Sequence, residues 1–333
     1  MGVLPMELDV FGIDRPCVDF TLDLNNLPRR NHGCLLNAIG WQGGGKVATG
    51  VVAAARLGAR CAITGQVGDD LYGRFCREDF IRHGVDVSGL SLAPGCTTDL
   101  GVVVSERSSA TRTILYRPGS VPPLEAESVD FSRLREARFL YIAQVTGLSA
   151  VAMDYARQWN VPVFIDADMY TPALGERLDE ITYFVASEFV FQALFPDLTD
   201  QPLEALEGPC RQILSRGPRV VVFTFGSRGC VGVSEDEDFF VLPAFPVEVR
   251  DTVGAGDVFH GAFLAQLCRG KSVLECARYA SATSAIKCTC PGGRAGIPTQ
   301  EVLEQFVRTG VIDDTELRQR VTFYERGIEY VSS

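Results

Sequence analysis

Histidine is scarce in this chain of 333 residues, which contains three histidines and eleven cysteines. The cysteines are scattered, no Cys-x-x-Cys pair occurs, and the closest two are Cys288 and Cys290. Zinc sites are usually built from paired cysteines and from histidines, so the sequence does not predict one. We interpret the cysteines as the reduced thiols of a cytoplasmic protein.

Long apolar runs and clusters of basic residues are also missing from the sequence. No stretch reaches the roughly 18 apolar residues of a membrane-spanning helix, and the N-terminal residues lack the basic segment of a signal peptide. Acidic residues outnumber basic ones by 42 to 31, which gives a formal net charge of −11. We therefore expect neither nucleic acid nor a membrane as a partner, whereas a local site for one anionic small molecule remains compatible with this charge.

Short β-rich runs alternate with segments of helical length along most of the chain. Residues 139–143, 163–166 and 220–224 are predicted to be buried strands, and residues 150–159 and 203–215 are predicted to be helices. Continuous apolar strands separated by helices are typical of a parallel sheet covered on both faces. The sequence thus predicts an α/β fold with a doubly wound, mostly parallel sheet.

Two stretches interrupt this alternation. Residues 18–40 mix polar and turn-forming residues with short apolar runs, and residues 97–117 contain two β-branched runs around a polar turn, which is the pattern of a β-hairpin. We expect both to form a small β-sheet lid, and we place the nucleotide- and substrate-binding core in residues 1–17, 41–96 and 118–333. Such a lid exposes an edge and an apolar face, so a homodimer through the lid is a reasonable hypothesis.

The most informative segment is Asp251-Thr252-Val253-Gly254-Ala255-Gly256-Asp257, which leads into a helical pattern. Two glycines and an alanine just before a helix leave backbone amides uncovered at the positive end of the helix dipole, which favours binding of an anion. An anion nest beside the Asp257 carboxylate suits phosphoryl transfer to an alcohol, in which the carboxylate takes the proton. The alternative is a glycine-rich helix entry in which Asp257 is only an N-terminal charge.

This segment resembles the C-terminal signature of the ribokinase family, also called the pfkB carbohydrate kinases. The resemblance implies that Asp257 is the catalytic base and that the amides of Gly254, Ala255 and Gly256 form the anion hole. Residues 43–49, followed by an alanine-rich helical segment, are similar to the family's N-terminal signature, although Thr49 stands where the family usually has Asn. The sugar-binding residues implied by these matches are Asp19, Gly44, Gly45, Lys46, Thr49 and Asp257. Lys46 either adds positive charge to the pocket or is simply exposed.

The resemblance extends to the nucleotide side of the site. Residues 224–229 are similar to the family's nucleotide loop, residues 288–298 are similar to the loop that closes over adenine, and Ser187 replaces the usual Asn. The residues that the resemblance assigns to ATP are Ser187, Thr224, Gly226, Gly229, Gly256 and Gly293. Those that it assigns to a monovalent cation, K⁺, mostly through backbone oxygens, are Asp251, Val253, Lys287, Cys290, Gly292 and Gly296. Mg²⁺ is expected to bridge the phosphates of ATP.

The sequence is less informative about the acceptor sugar. Arg117, at the end of the predicted hairpin, either binds a carboxylate through two hydrogen bonds or is a solvated lid residue. Its Tyr-Arg pair is similar to that of 2-keto-3-deoxygluconate kinases, whereas residues 287–298 are more similar to sulfofructose kinases. Both resemblances imply a ketose-like sugar that can carry an acidic group. Gln144, after a core strand, either contacts this sugar or is a polar residue of a strand-end loop.

We therefore predict ATP-dependent phosphorylation of a sugar hydroxyl. A nucleoside kinase on the same fold is one alternative, and it would not need Arg117. A sugar- or nucleotide-binding regulator without turnover is the other; the departures at Thr49 and Ser187 motivate it, and the intact motif that ends at Asp257 argues against it. His260, one turn after this motif, is interpreted as a packed or capping residue.

Overall fold

The computed structural model describes residues 8–109 and 111–331 of the chain. The strands in this part are β1 (Leu8–Ile13), β2 (Cys17–Leu24), β3 (Leu36–Gly44), β4 (Cys61–Gly68), β5 (Asp86–Ala93), β6 (Leu100–Glu106), β7 (Thr111–Arg117), β8 (Ala137–Ile142), β9 (Val163–Ala167), β10 (Tyr183–Ser187), β11 (Val220–Thr224), β12 (Cys230–Ser234) and β13 (Phe240–Leu242). The helices are α1 (Lys46–Arg56), α2 (Leu71–Arg82), α3 (Ser132–Arg135), α4 (Gly147–Trp159), α5 (Pro172–Glu176), α6 (Glu188–Leu194), α7 (Glu207–Leu214), α8 (Ala255–Cys268), α9 (Val273–Cys288), α10 (Gln300–Thr309) and α11 (Thr315–Glu325).

The larger sheet has nine strands in the spatial order β13-β12-β11-β10-β9-β8-β1-β4-β5. Neighbouring strands are parallel from β5 to β11, and the pairs that involve β12 and β13 are antiparallel. Parallel neighbours need crossover connections, which helices provide for most of this sheet. The prediction of a doubly wound, mostly parallel α/β sheet is thus confirmed.

Helices cover both faces of this sheet. Along β8, Phe139 and Tyr141 belong to a buried cluster with residues of α1, α8 and α9, whereas Leu140 and Ile142 belong to a second cluster with residues of α4, α6 and α7. Successive residues of a strand point to opposite faces, so a strand between two layers of helices needs apolar residues at every position. This requirement explains why the core strands appear in the sequence as continuous apolar runs.

The smaller sheet has four strands in the order β3-β2-β6-β7. Strands β2 and β6 are parallel, and the outer pairs are antiparallel. β3 continues past residue 40 to Gly44, because its pairing with β2 runs on as far as Cys17. The lid sheet therefore ends directly before α1, and the glycines that resemble a sugar-binding loop are the last residues of a lid strand.

The C-terminal segment forms α11, whose position the sequence did not indicate. This helix contacts β3 of the lid sheet, and its Tyr324 is buried. The helix therefore lies between the lid and the core rather than apart from them. Over residues 8–109 and 111–331, no helix is long and apolar enough to cross a membrane.

Candidate active site

The candidate site lies at the carboxyl ends of the parallel strands, where an open α/β sheet usually binds its ligands. Asp14 follows β1, Asp166 lies near the end of β9, and Ser187 and Thr224 are the last residues of β10 and β11. Asp257 lies in the first turn of α8. The fold therefore brings side chains from distant parts of the chain to one edge of the sheet.

The beginning of α8 is rich in glycine, and the amide of Ala255 there already donates to the main-chain carbonyl of Thr252 over 3.2 Å. Gly254 caps the helix with a φ of 69°, in the left-handed region that glycine adopts without strain. A side chain at Gly256 would meet no atom within 4 Å, so the space next to this residue is open. Open amides at a helix N-terminus are able to bind an anion.

Asp257 lies among other carboxylates. Burial raises the pKa of its side chain well above the ordinary value, and the negative charges of Asp166, Asp14 and Asp19 raise it further, whereas the positive charge of Lys46 lowers it. The residue as a whole is half-buried. A carboxyl group with a raised pKa is better matched to proton transfer near neutral pH.

The predicted sugar-binding residues Asp19, Gly44, Gly45 and Lys46 lie at the junction of the lid and the core. Burial raises the pKa of Asp19 to about 6, and a Cβ atom at Gly44 would lie 2.5 Å from its carboxylate. Gly45 has a φ of 100°, which favours glycine at the turn into α1. Lys46 begins this helix and forms an ion pair with Asp168.

A cleft of about 370 Å³ opens beside this junction. Its lining includes Asp14, Arg15, Lys46, Gln66 and Gln144. The volume falls within the range of small-molecule sites. Lys46 and Gln144, two of the predicted sugar contacts, therefore line the same cleft.

Two other predicted sugar-binding residues lie elsewhere. Arg117 pairs with Leu100, and the strand register places its side chain on the opposite face of the lid sheet from Asp19. Thr49 is buried, and its hydroxyl accepts a hydrogen bond from Arg294. The structure therefore does not bring Arg117 or Thr49 to the cleft.

The residues predicted to bind ATP have different surroundings. The Ser187 hydroxyl is buried and has no hydrogen-bond partner in the part of the chain that the structure describes, which is unusual for a polar group without a ligand or water. Thr224 donates to a main-chain carbonyl of β10, and Gly226 has a φ of 55°. Gly229 has a φ of 101°, and a Cβ atom there would lie 2.0 Å from the carbonyl oxygen of Leu242, so backbone conformation and packing explain this glycine.

The predicted ligands of a monovalent cation come together where the loop before α8 meets the end of α9. The Gly292 amide donates to the Asp251 carboxylate over 2.8 Å, and Gly296 packs against the backbone of Lys287. The Lys287 ammonium, however, donates to the main-chain oxygen of Asp251 over 2.9 Å. Because a positively charged group already binds one of the predicted ligand atoms, the residues present do not fit a metal cation at this position.

Several residues of the site were not singled out from the sequence. Asp14 and Asp166 could have been recognised, because an acidic residue at the end of a buried parallel strand lies at the ligand-binding edge. His260, which the sequence analysis interpreted as a packed or capping residue, is buried, with its Nδ1 atom 2.6 Å from the carbonyl oxygen of Gly256 and 3.3 Å from the Asp166 carboxylate. It therefore contacts the anion-binding turn. Arg294, which is fully buried, has no local sequence signal.

Comparison with known proteins places these features in a family. A family model described as pfkB family carbohydrate kinase matches residues 9–300. The ribokinase of Bacillus subtilis (strain 168) is 28% identical over 269 residues, which are 79% of this chain and 87% of that protein. A 5-dehydro-2-deoxygluconokinase of Clostridium beijerinckii is 24% identical over 323 residues, covering 91% of this chain and 93% of that protein.

A solved structure has the same fold. It comes from E. coli, is described as a ribokinase II in complex with ATP and Mg²⁺, and matches with a TM-score of 0.77 at 23% identity over 90% of this chain and 99% of its own. The family model and the two relatives confirm the predicted family and the predicted carbohydrate kinase activity. The family model covers all the strands except the first residue of β1 and ends at residue 300. The chain therefore belongs to the pfkB family of carbohydrate kinases.

Proposed function

We propose that this protein transfers the γ-phosphoryl group of ATP to a hydroxyl group of a sugar, with Asp257 as the base. The observation that carries the proposal is the position of Asp257 in the first turn of α8, directly after Gly254 at the helix N-terminus and Gly256, next to which the space is open. A carboxylate and a glycine-rich helix N-terminus are thus adjacent. Phosphoryl transfer to an alcohol requires this combination.

Each part of the turn has its own task in the transfer. Asp257 accepts the proton of the sugar hydroxyl as this hydroxyl attacks the γ-phosphorus of ATP. The raised pKa of Asp257 makes its ionised form a stronger base, and Lys46 limits the rise. The amides of Gly254 and Gly256 stabilise the negative charge of the phosphoryl group during transfer, whereas the Ala255 amide donates to the carbonyl of Thr252. One donor to the transferred group is typically worth about a hundred- to a thousand-fold in rate.

The sugar is proposed to bind at the junction of the lid and the core. Its hydroxyls would donate to Asp19 and accept from Lys46 and Gln144, and its ring would lie against the glycines that end β3. The Lys46 side chain is already paired with Asp168, and Arg15, the other cation of the cleft lining, is paired with a lid carboxylate. Carboxylates that accept from hydroxyls favour a neutral ketose or aldose over an acidic sugar.

ATP is proposed to lie across the ends of β10 and β11. The unpaired hydroxyl of Ser187 fits a ligand in this position. Gly226 is exposed, Gly293 is buried, and a Cβ atom at either residue would meet no atom within 4 Å. Among the described residues, no group of three His, Cys, Asp or Glu side chains is placed to hold a metal ion. Mg²⁺ would therefore be held mainly by the ATP phosphates, where it supplies positive charge to the transferring group.

The lid is also proposed to join two copies of the chain. Leu36, Ile39 and Leu115 lie on the lid face opposite to Asp19, and their exposed fractions are 45%, 42% and 59%. Apolar side chains that share one face of a small sheet favour association with a second such face. A symmetric dimer would cover this face on both copies.

The proposal is tested by measuring ADP release from ATP and Mg²⁺ with a panel of acceptors. The panel contains neutral ketoses and aldoses, acidic keto-sugars, a sulfonated ketose and nucleosides. We expect turnover with a neutral sugar. The Asp257→Asn variant should lose at least about a hundred-fold in turnover and keep its ATP affinity, since it lacks only the proton acceptor.

The control variant is Asp238→Asn, which makes the same change at an exposed aspartate and should retain full turnover. Wild-type turnover in the Asp257→Asn variant would contradict the assigned base. Turnover restricted to nucleosides would make the protein a nucleoside kinase. Binding of ATP without turnover on any acceptor would favour a non-catalytic regulator.

A further inference from the structure

Lys287 is a lysine with no access to solvent. It lies in the last turn of α9, and its exposed fraction is 0%. The chain's other lysines, Lys46 and Lys271, are partly exposed and pair with carboxylates. The Lys287 ammonium instead donates to the main-chain carbonyl of Asp251 over 2.9 Å. Burying an ammonium group costs free energy unless the charge is paired and hydrogen-bonded. The buried position of Lys287 therefore calls for a functional explanation.

The partner of Lys287 belongs to a residue that joins three segments of the chain. The Asp251 carboxylate accepts hydrogen bonds from the amides of Val253, over 2.9 Å, and of Gly292, over 2.8 Å. Its own amide donates to the carbonyl of Cys288. The negative carboxylate is thus held by main-chain amides, and the polarised carbonyl of the same residue receives the ammonium. The positive charge is therefore fixed beside the loop that leads into α8.

This placement coincides with the position predicted for a monovalent cation. The atoms assigned to that cation are mostly backbone oxygens, and the carbonyl of Asp251 is among them. A bound K⁺ and the Lys287 ammonium would need the same carbonyl oxygen, and two positive charges that close together repel each other. Both cannot occupy the position at once.

We propose that the ammonium group of Lys287 replaces the monovalent cation, so that this kinase works without K⁺. The inference rests on the proposed function, because it concerns the loop that presents the anion-binding amides. Lys287 acts as a positioning residue. It holds the Asp251 carbonyl, and through the short segment up to Gly254 it fixes the turn at which α8 begins.

The experiment compares the wild type with Lys287→Ala, which removes the ammonium and leaves room for an ion, and with Lys287→Met, which removes the charge but fills the space. Lys271→Met is the matched control, because it changes a lysine at the other end of α9. Turnover and melting temperature are measured at constant ionic strength in the chlorides of K⁺, Na⁺ and N-methylglucamine.

The wild type should show the same turnover, within about twofold, in all three salts, and the same melting temperature. Lys287→Ala should lose about tenfold or more of its turnover in N-methylglucamine, as expected for a misplaced donor, and should recover much of it in K⁺. Its melting temperature should rise with K⁺, because an ion that binds only the folded state stabilises that state. Lys287→Met should lose turnover without rescue, and Lys271→Met should behave as the wild type.

Activation of the wild type by K⁺ of about tenfold or more would overturn the inference, and this arm needs no variant. Full turnover of Lys287→Ala in the absence of K⁺ would also overturn it. Absence of turnover from the wild type on every acceptor would count against the proposed function instead. In that case the melting temperatures still decide the inference, because a K⁺-dependent rise in the wild type would contradict it.

Discussion

The carboxylates around Asp257 set the conditions under which this residue can act as a base. Burial, followed by the charges of Asp166, Asp14 and Asp19, disfavours its ionised form and raises its pKa. Lys46 has the opposite effect. The same arrangement that strengthens the base therefore also makes it easier to protonate, and activity should depend on pH in a range where an ordinary aspartate is fully ionised.

We expect kcat/KM of the wild type to decrease as the pH falls below about neutral. This acidic limb of the profile should lie well above the pH of about 4 at which a free aspartate titrates. Asp257 must be ionised to accept a proton, and a raised pKa means that protonation begins at a higher pH. The measurement is kcat/KM for the best sugar over about pH 5 to 9.

Lys46→Met provides the comparison for this profile. Removal of the positive charge that lowers the pKa of Asp257 should move the acidic limb to higher pH, whatever happens to the absolute rate. An acidic limb that stays near pH 4 in the wild type would mean that Asp257 is not the titrating base. A limb that does not move in the variant would mean that Lys46 does not influence it.

At the scale of secondary-structure elements, α11 supports the segment Gly43-Gly44-Gly45, the sugar loop, which spans the end of β3 and is where the sugar is proposed to bind. The Tyr324 hydroxyl donates to Asp79 over 2.7 Å, and Arg294 donates to the other carboxylate oxygen of Asp79 over 2.7 Å. Arg294 also donates to the carbonyl of Gly44 over 3.2 Å. Although burial raises the pKa of Asp79, the charge of Arg294 and the hydrogen bonds from Tyr324 and Arg294, together with the nearby His83, keep the pKa below its ordinary value. The C-terminal helix is thus connected to the sugar loop through a buried ion pair.

Tyr324→Phe should lower the free energy of unfolding by about 1–3 kcal/mol, because the buried Asp79 loses a donor. It should also raise the KM for the sugar more than the KM for ATP, because Arg294 holds the sugar loop. Thr322→Ala, at an exposed position of the same helix, should change neither quantity. The measurements are chemical denaturation and the two KM values. A loss of stability with both KM values unchanged would show that the helix does not support the sugar loop.

The elements that could be predicted from the sequence are those with a local signal. The core strands are continuous apolar runs, and the turn before Asp257 is a continuous segment with a helix directly after it. Arg294 and Tyr324 have no such signal, because they meet Asp79 from positions 215 and 245 residues away in the chain. Arg117 shows a different limit, since strand register decides which face of a sheet a residue occupies, and a shift of one residue reverses the face.

At the scale of the whole molecule, the lid is held to the core on the same side as the anion-binding turn. Asp23 of β2 pairs with Arg250, which directly precedes Asp251, and Arg112 of β7 donates to the hydroxyl of Thr252. The inner face of the lid is thus attached to the segment that leads into α8. The outer face, with Leu36, Ile39 and Leu115, keeps large exposed apolar side chains.

The wild type should therefore have a mass in solution of twice the 36.2 kDa of one chain, measured by light scattering at micromolar concentration. Leu115→Glu should give the mass of one chain, because a symmetric interface buries the introduced carboxylate twice, without a partner of opposite charge. Leu274→Glu, which makes the same change at an exposed leucine at the beginning of α9, should leave the mass of the dimer unchanged. A wild type with the mass of one chain would contradict association through the lid. A wild-type dimer that survives Leu115→Glu would place the interface elsewhere, and the exposed face of the lid would then have to be explained by the sugar-bound state.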